Sequence, residues 1–343
     1  MNLLTARNAD AMLPLALNRL LSIGIQRNTR NGPVLQMPGP TILCYERPWE
    51  RVVFWPERNA NPFFHVIEAM WMLAGRNDVA GISKYAANIA TYSDDGETFR
   101  GAYGYRWRRH FGIGQRIDQL EHVITNLMKN PDCRRQVVSM WDAEDILAMS
   151  SKDLCCNTHI YFARDPQGNL DMTVCNRSND LVWGALGANV VHFSFLQEYI
   201  AARIGCQPGK YYQFTNNLHG YLNTIAPVRD LANQTGIASV YELDATIRNR
   251  HYAVLTKLEA KEFELDLHKL GTGNYTTQFF REVVEPMETA WQAYKDHGPL
   301  AAVDGCLKIM APDWRVAAVA WMRRCAAKRA NRAADSGVNY EQP

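Results

Sequence analysis

Three short runs decide how this chain is read: Asp153-Leu-Cys155-Cys156-Asn157-Thr-His-Ile-Tyr-Phe162, Asn176-Arg177-Ser178-Asn-Asp180 and Asn217-Leu-His219-Gly-Tyr221. Between the last two lies Leu181-Val-Trp183-Gly184-Ala-Leu-Gly-Ala-Asn189-Val-Val-His-Phe-Ser-Phe195. His159–Arg164 and Leu170–Asn176 carry strand-type residues on either side of Asp165-Pro-Gln-Gly168, which predicts a hairpin. Ala188–Ile204 reads as a long helix stopped by Gly205, and Lys210–Thr215 as another strand. A cysteine, an arginine, an amide and a histidine therefore sit near the ends of these elements. That set suits nucleophilic chemistry on a small anionic ligand.

Working outward, residues 10–26 repeat apolar side chains at helical intervals, and Gly24 is placed to end that helix. Arg27-Asn-Thr-Arg30-Asn-Gly32-Pro33 reads as a polar loop, and Thr41–Tyr45 and Val52–Trp55 as short strands. Pro62 and Gly75 punctuate a helix that is apolar except for Glu68, a carboxylate expected to be buried and functional. Ile82–Thr91 and Ile117–Met128 read as helices and Gln136–Trp141 as a strand. Residues 246–266 look β-like, and 276–296 helical. The basic, Ala-rich run Asp313–Ala334 reads as a helix with a solvated or dimer-contacting face. The expectation is an α+β fold with a mixed or antiparallel sheet flanked by helices. Residues 1–310 would form the main domain and 311–343 a helical C-terminal extension of it.

With 343 residues, 47% of them hydrophobic and 21% charged, the chain has enough apolar material for a substantial core. A net charge of +2 gives no broad attraction to nucleic acid or membrane, so neither is expected as a partner. No run approaches a membrane span and no signal-like segment opens the chain, which points to the cytoplasm. The eight scattered cysteines suit reduced thiols there, and none has zinc-type spacing, so no metal is expected.

Taken together, the motifs resemble the thymidylate synthase superfamily, in particular its pyrimidine nucleotide hydroxymethylases, over about Gly24–Asn223. Gly24-Ile-Gln-Arg-Asn-Thr-Arg30 is similar to the early phosphate loop, Glu68-Ala-Met-Trp71 to the glutamate helix, and Gly101-Ala-Tyr103-Gly-Tyr to the tyrosine loop. Asn130-Pro-Asp-Cys-Arg134-Arg135 resembles the arginine pair that reaches across a dimer to the partner's nucleotide. The resemblance implies Cys156 as nucleophile, with Glu68, Tyr103 and Asn189 also catalytic. It implies that Arg30, Arg134, Arg135 and Arg177 hold the 5′-phosphate and that Ser178, His219 and Tyr221 lie along the sugar. Asn189 and Asn157 would face the base. Asp180, Gly184 and Tyr92 would face the cofactor, 5,10-methylenetetrahydrofolate. The residue chemistry agrees: a thiolate adding to C6 of a pyrimidine turns the weakly nucleophilic C5 into an enolate-like carbon, and forked arginines suit a dianionic phosphate. Singly, Asn189 reads equally as a helix cap, and His219 or Tyr221 as a packed core residue.

The chain departs from the synthases in several places. Cys155 stands where they have proline, Asn157 where they have histidine, and Asn217 where they have aspartate. One extra residue lies between Gly184 and Asn189; the folate-side tryptophan is missing, leaving Tyr92 nearest; and Asn339–Pro343 does not match their C-terminal closure. The expected enzyme is a homodimeric, folate-dependent one-carbon transferase that hydroxymethylates C5 of a deoxypyrimidine 5′-monophosphate, with cytosine slightly favoured over uracil. The alternatives are a methylating synthase and a catalytically inactive nucleotide- or RNA-binding relative.

Overall fold

The computed structural model describes residues 1–335, so the Asn339–Pro343 terminus lies outside the described residues. Its strands are β1 (Asn2–Ala6), β2 (Ile25–Thr29), β3 (Gly32–Gln36), β4 (Thr41–Tyr45), β5 (Val137–Ser139), β6 (Asn157–Arg164), β7 (Leu170–Asn176), β8 (Asn179–Asp180), β9 (Pro208–Thr215) and β10 (Leu218–Tyr221). They build a six-stranded sheet in the order β1-β4-β9-β7-β6-β5 and a four-stranded sheet in the order β2-β3-β10-β8. The larger sheet is mixed: β7–β9 and β1–β4 run parallel, and the other neighbours antiparallel. Along β7 buried and half-buried residues alternate strictly, the period of a strand with one face on a core.

The principal helices are α1 (Ala9–Ile23), α2 (Pro62–Leu73), α3 (Gln119–Lys129), α4 (Val190–Ile204), α5 (Glu285–His297) and α6 (Pro312–Asp335). α4 is apolar nearly all round, as a helix covered on every side must be. It packs between α2 and the β7–β9 part of the large sheet. Two of its polar side chains find partners inside: Gln197 Nε2 donates to Leu170 O at 2.7 Å, and Glu198 accepts from Val254 N at 3.0 Å and meets Arg51. α2 starts where the Asn61 side chain accepts from the N–H groups of Phe63 and Phe64, with Pro62 at the first helical position. α6 lies against α2, and its Trp321 ring sits 5.8 Å from Phe63.

Four sequence expectations are corrected. The Arg27–Pro33 loop is the β2–β3 hairpin, turning at Arg30-Asn31 with Gly32 at φ 119°. β2 is exposed along its whole length, so no apolar alternation marks it. Val52–Trp55 is not a strand; separate bonds pin it, Phe54 N to Asp10 Oδ1 at 2.8 Å and Val52 N to Tyr241 Oη at 3.1 Å. Ile82–Thr91 splits into short helices over Val79–Ser83 and Ala87–Tyr92. The 246–266 region holds no strand and turns into a helix, Ala260–His268. β1 also went unforeseen: it is an edge strand whose outer residues face solvent. Among the described residues no helix is long and apolar enough to cross a membrane.

Candidate active site

The hairpin register brings the thiol and an arginine together. β6 and β7 pair with Asn157 opposite Asn176, so Cys156, just before β6, meets Arg177, just after β7. Arg177 N donates to Cys156 O at 2.9 Å, its Nε to Cys155 O at 2.9 Å and its Nη2 to Leu154 O at 3.0 Å. Thus tied, Nη2 lies 3.8 Å from Cys156 Sγ. Burial raises the Cys156 thiol above its ordinary range, while Arg177 and Arg30 pull it back down. Cys155 is different: it is 1% exposed, its Sγ faces Gly101 O at 3.4 Å, and burial pushes it up to about 12. Tyr103 stacks on Phe193, and burial, with the two thiols next, keeps its phenol protonated.

The small sheet supplies the opposite wall. Arg30 occupies the β2–β3 turn, and β10 sets His219 opposite Gln36 and Tyr221 opposite Val34. On its other side β10 runs parallel to β8, with His219 opposite Asp180. His219 Nδ1 lies 3.2 Å from Asn217 Oδ1, which orients the ring. The two walls enclose a cavity of about 420 Å³ lined by Arg30, Tyr103, Cys156, Arg177, Ser178, Asp180, Gly184, Asn189, Asn217, His219 and Tyr221.

Asn189 ends the segment Leu181–Asn189, a run of π-type turns kinked at Leu186, that contains the extra residue noted in the sequence. A π turn holds more residues than an α turn, so the added residue is absorbed there, as happens at many functional sites. The Asn189 amide is fixed by a relay: Gln213 Oε1 accepts from Asn179 Nδ2 at 3.3 Å, and Asn179 Oδ1 accepts from Asn189 Nδ2 at 3.0 Å. Gly184 is required beside it, because a Cβ there would collide with Asn179 Oδ1.

A second cavity, about 350 Å³, adjoins the first and shares Tyr103, Gly184 and Asn189 with it. Its other walls include Met72, Ile82, Ile89, Tyr92, Phe99 and Trp183, with Glu68, Asp153 and His192 as its carboxylate and imidazole members. Glu68 is 6% exposed, buried as anticipated. Tyr92 and Trp183 present rings that are 58% and 57% exposed. Beneath Trp183 lies Arg58, 2% exposed, 4.4 Å from the indole, with no hydrogen-bond partner on any guanidinium nitrogen among the described residues. Burial lowers that guanidinium to about 10. A flat heteroaromatic ring such as that of a folate fits against these two exposed rings.

Some expected residues fall elsewhere. Asn157 is fully buried and donates to Asn176 Oδ1, so it does not line the nucleotide-sized cavity. Asp180 lines that first cavity rather than the second, and its carboxylate accepts from Trp183 N at 2.6 Å. Arg134 and Arg135 are exposed and line neither cavity. Reasoning from sequence passed over Arg58, Asp153, Asn179, Trp183 and His192. Of these only His192, one helical turn after Asn189, carried a legible signal. No cluster of metal-ligating side chains occurs among the described residues.

Fold and paired cavities together define a folate-dependent one-carbon transferase. The thymidylate synthase family model matches residues 57–284, and the chain belongs to that family. It is 44% identical to a deoxyuridylate hydroxymethyltransferase of Pseudomonas phage M6, over 99% of this chain and 100% of the relative. A deoxyuridylate hydroxymethyltransferase of Bacillus phage SP01 is 39% identical over 54% of this chain and 50% of its own length.

Proposed function

We propose that the protein is a cytoplasmic, homodimeric enzyme that places a hydroxymethyl group on C5 of 2′-deoxyuridine 5′-monophosphate, with 5,10-methylenetetrahydrofolate as co-substrate. The observation that carries this reading is the convergence of Cys156, Arg177, Arg30, Asn189, His219 and Tyr221 on one cavity that opens into a second. Eight free thiols suit a reducing compartment. Residues 1–310 would be the catalytic domain and 311–343 an extension of it; the stacking of Trp314 on Phe195, 6.1 Å apart, supports one shared core.

In this reading Arg30 and Arg177 bind the 5′-phosphate together with Arg134 and Arg135 of the partner subunit. Exposure of that pair away from both cavities of its own chain supports the assignment. Ser178, His219 and Tyr221 hold the sugar. Cys156 adds to C6, with Arg177 and Arg30 favouring its thiolate. Asn189 reads the 3,4 edge of the base, and Tyr103 donates near the thiol. Glu68 carries protons at the ring. Folate, when bound against Trp183 and Tyr92, supplies a one-carbon unit at the oxidation level of formaldehyde.

The residues alone leaned towards cytosine, whereas the relatives' names favour uracil. The fixed Asn189 amide supports a single base, since turning it to serve the other would cost the Asn179 bond. Mass analysis of products from dUMP, dCMP and CMP tests the proposal. The expected result is a gain of CH2O on dUMP with no dihydrofolate. A CH2 gain with stoichiometric dihydrofolate would make it a methylating synthase, and product from dCMP alone would move the base to cytosine.

A further inference from the structure

His192 and Glu68 form a buried acid–base pair to which the steps above give His192 no part. His192 is 2% exposed and Glu68 6%, and both line the second cavity. His192 Nε2 lies 2.8 Å from Glu68 Oε2, out of line for a hydrogen bond. Among the described residues, neither ring nitrogen nor that carboxylate oxygen has a hydrogen-bond partner. Buried polar atoms are rarely left so, and a cavity that admits water explains why these are. His65, the other buried imidazole nearby, does not line the cavity. α4 sets His192 one turn beyond Asn189, one of the three residues common to both cavities, so the imidazole lines the second cavity close to the wall it shares with the first.

We propose that His192, paired with Glu68, is the general base for the water that completes the hydroxymethyl group. The inference rests on the hydroxymethylation reading. In that reaction the base, held through its C6–S bond to Cys156, carries an exocyclic methylene on C5. A water oxygen bonds to the methylene carbon, and the π pair moves to O4 as an enolate. The water's proton passes to His192, whose imidazolium Glu68 stabilises. The enolate pair then restores the C5–C6 double bond as the C6–S bond breaks, and the sulfur leaves with its electrons as thiolate. Atoms and electrons balance without oxidant or reductant.

The test uses full-length His192→Phe and His192→Gln with 5-tritiated dUMP and methylenetetrahydrofolate, following tritium release and product mass together. Calorimetry with dUMP alone should give wild-type affinity, within about twofold, for the variants. Hydroxymethyl product should form roughly 100-fold more slowly, while tritium release persists and outruns it. Product keeping pace with tritium in both variants would overturn the proposal. A separate arm needs neither turnover nor folate: the ring nitrogen NMR shifts of His192 should change on Glu68→Gln, and unchanged shifts would also overturn it. If the wild-type enzyme yields a methyl product with dihydrofolate, the hydroxymethylation reading fails instead, whatever the variants do.

Discussion

Arg177 holds its guanidinium 3.8 Å from Cys156 Sγ because the register of two antiparallel strands leaves these residues side by side at the open end of a hairpin. Carbonyls of Leu154 and Cys155 accept two of its N–H groups, so the side chain stays at the thiol without a bound ligand. Removing it should leave burial less opposed and raise the Cys156 thiol further. The pH midpoint for alkylation of Cys156 should therefore move upward in Arg177→Ala; an unmoved midpoint would leave the arginine as a phosphate ligand only.

The adjacent cysteines should behave oppositely. Cys156 lines the cavity, whereas Cys155 is buried with a thiol pushed up to about 12. Cys156→Ser should lose roughly 10⁴-fold or more in turnover. Cys155→Ala should keep most activity and lose some thermal stability, since it empties a packed position. Steady-state rates on both variants check this, and the reverse pattern would shift the nucleophile by one residue.

Dimer complementation examines the exposed arginines. Mixed Arg135→Ala and Cys156→Ser subunits should recover activity, because each hybrid holds one site with an intact thiol and the partner's intact arginine. Absence of recovery after demonstrated subunit exchange would remove Arg135 from the partner's site.

Gly184→Ala should damage base recognition without touching the thiol. The added methyl would push Asn179 Oδ1 from Asn189. A lost hydrogen bond of ordinary strength corresponds to about a tenfold rise in KM for the nucleotide, measured beside an alkylation rate for Cys156 that should match wild type.

Stability in acid should depend on Glu198. Burial opposes its ionisation, but Arg51, His251 and Val254 N–H outweigh that and bring the carboxyl from its ordinary 4.5 to about 2. A depressed folded value means the stabilisation is complete above 4.5 and is lost as pH falls towards 2. Glu198→Gln should cost about 3 kcal/mol at neutral pH, because Arg51 is left charged and buried. It should also flatten the loss of stability across that acid window, as denaturant titrations at several pH values would show.

Much of the architecture was legible in the residues themselves. Pro62 and Gly75 bracket α2, Gly205 stops α4, and the alternation of Leu170–Asn176 marks β7, because these signals act within a few residues of one another. The order of Cys156, Arg177, Asn189 and His219 along the chain helped carry the resemblance to the thymidylate synthase family, which the family match over residues 57–284 bears out. Tertiary structure alone decided the rest. The polar run around Arg30 reads as a loop until β10 pairs with β3 and draws it into a sheet. Arg58 looks like any surface arginine in a Pro-Glu-Arg turn, and only packing under Trp183 leaves it buried, with no hydrogen-bond partner among the described residues. The sequence separates Glu68 from His192 by more than a hundred positions, and no local pattern reports that α2 and α4 cross where those two side chains meet. Contacts of that kind depend on how apolar faces pack across the whole core, which is a property of the folded chain and not of any one segment.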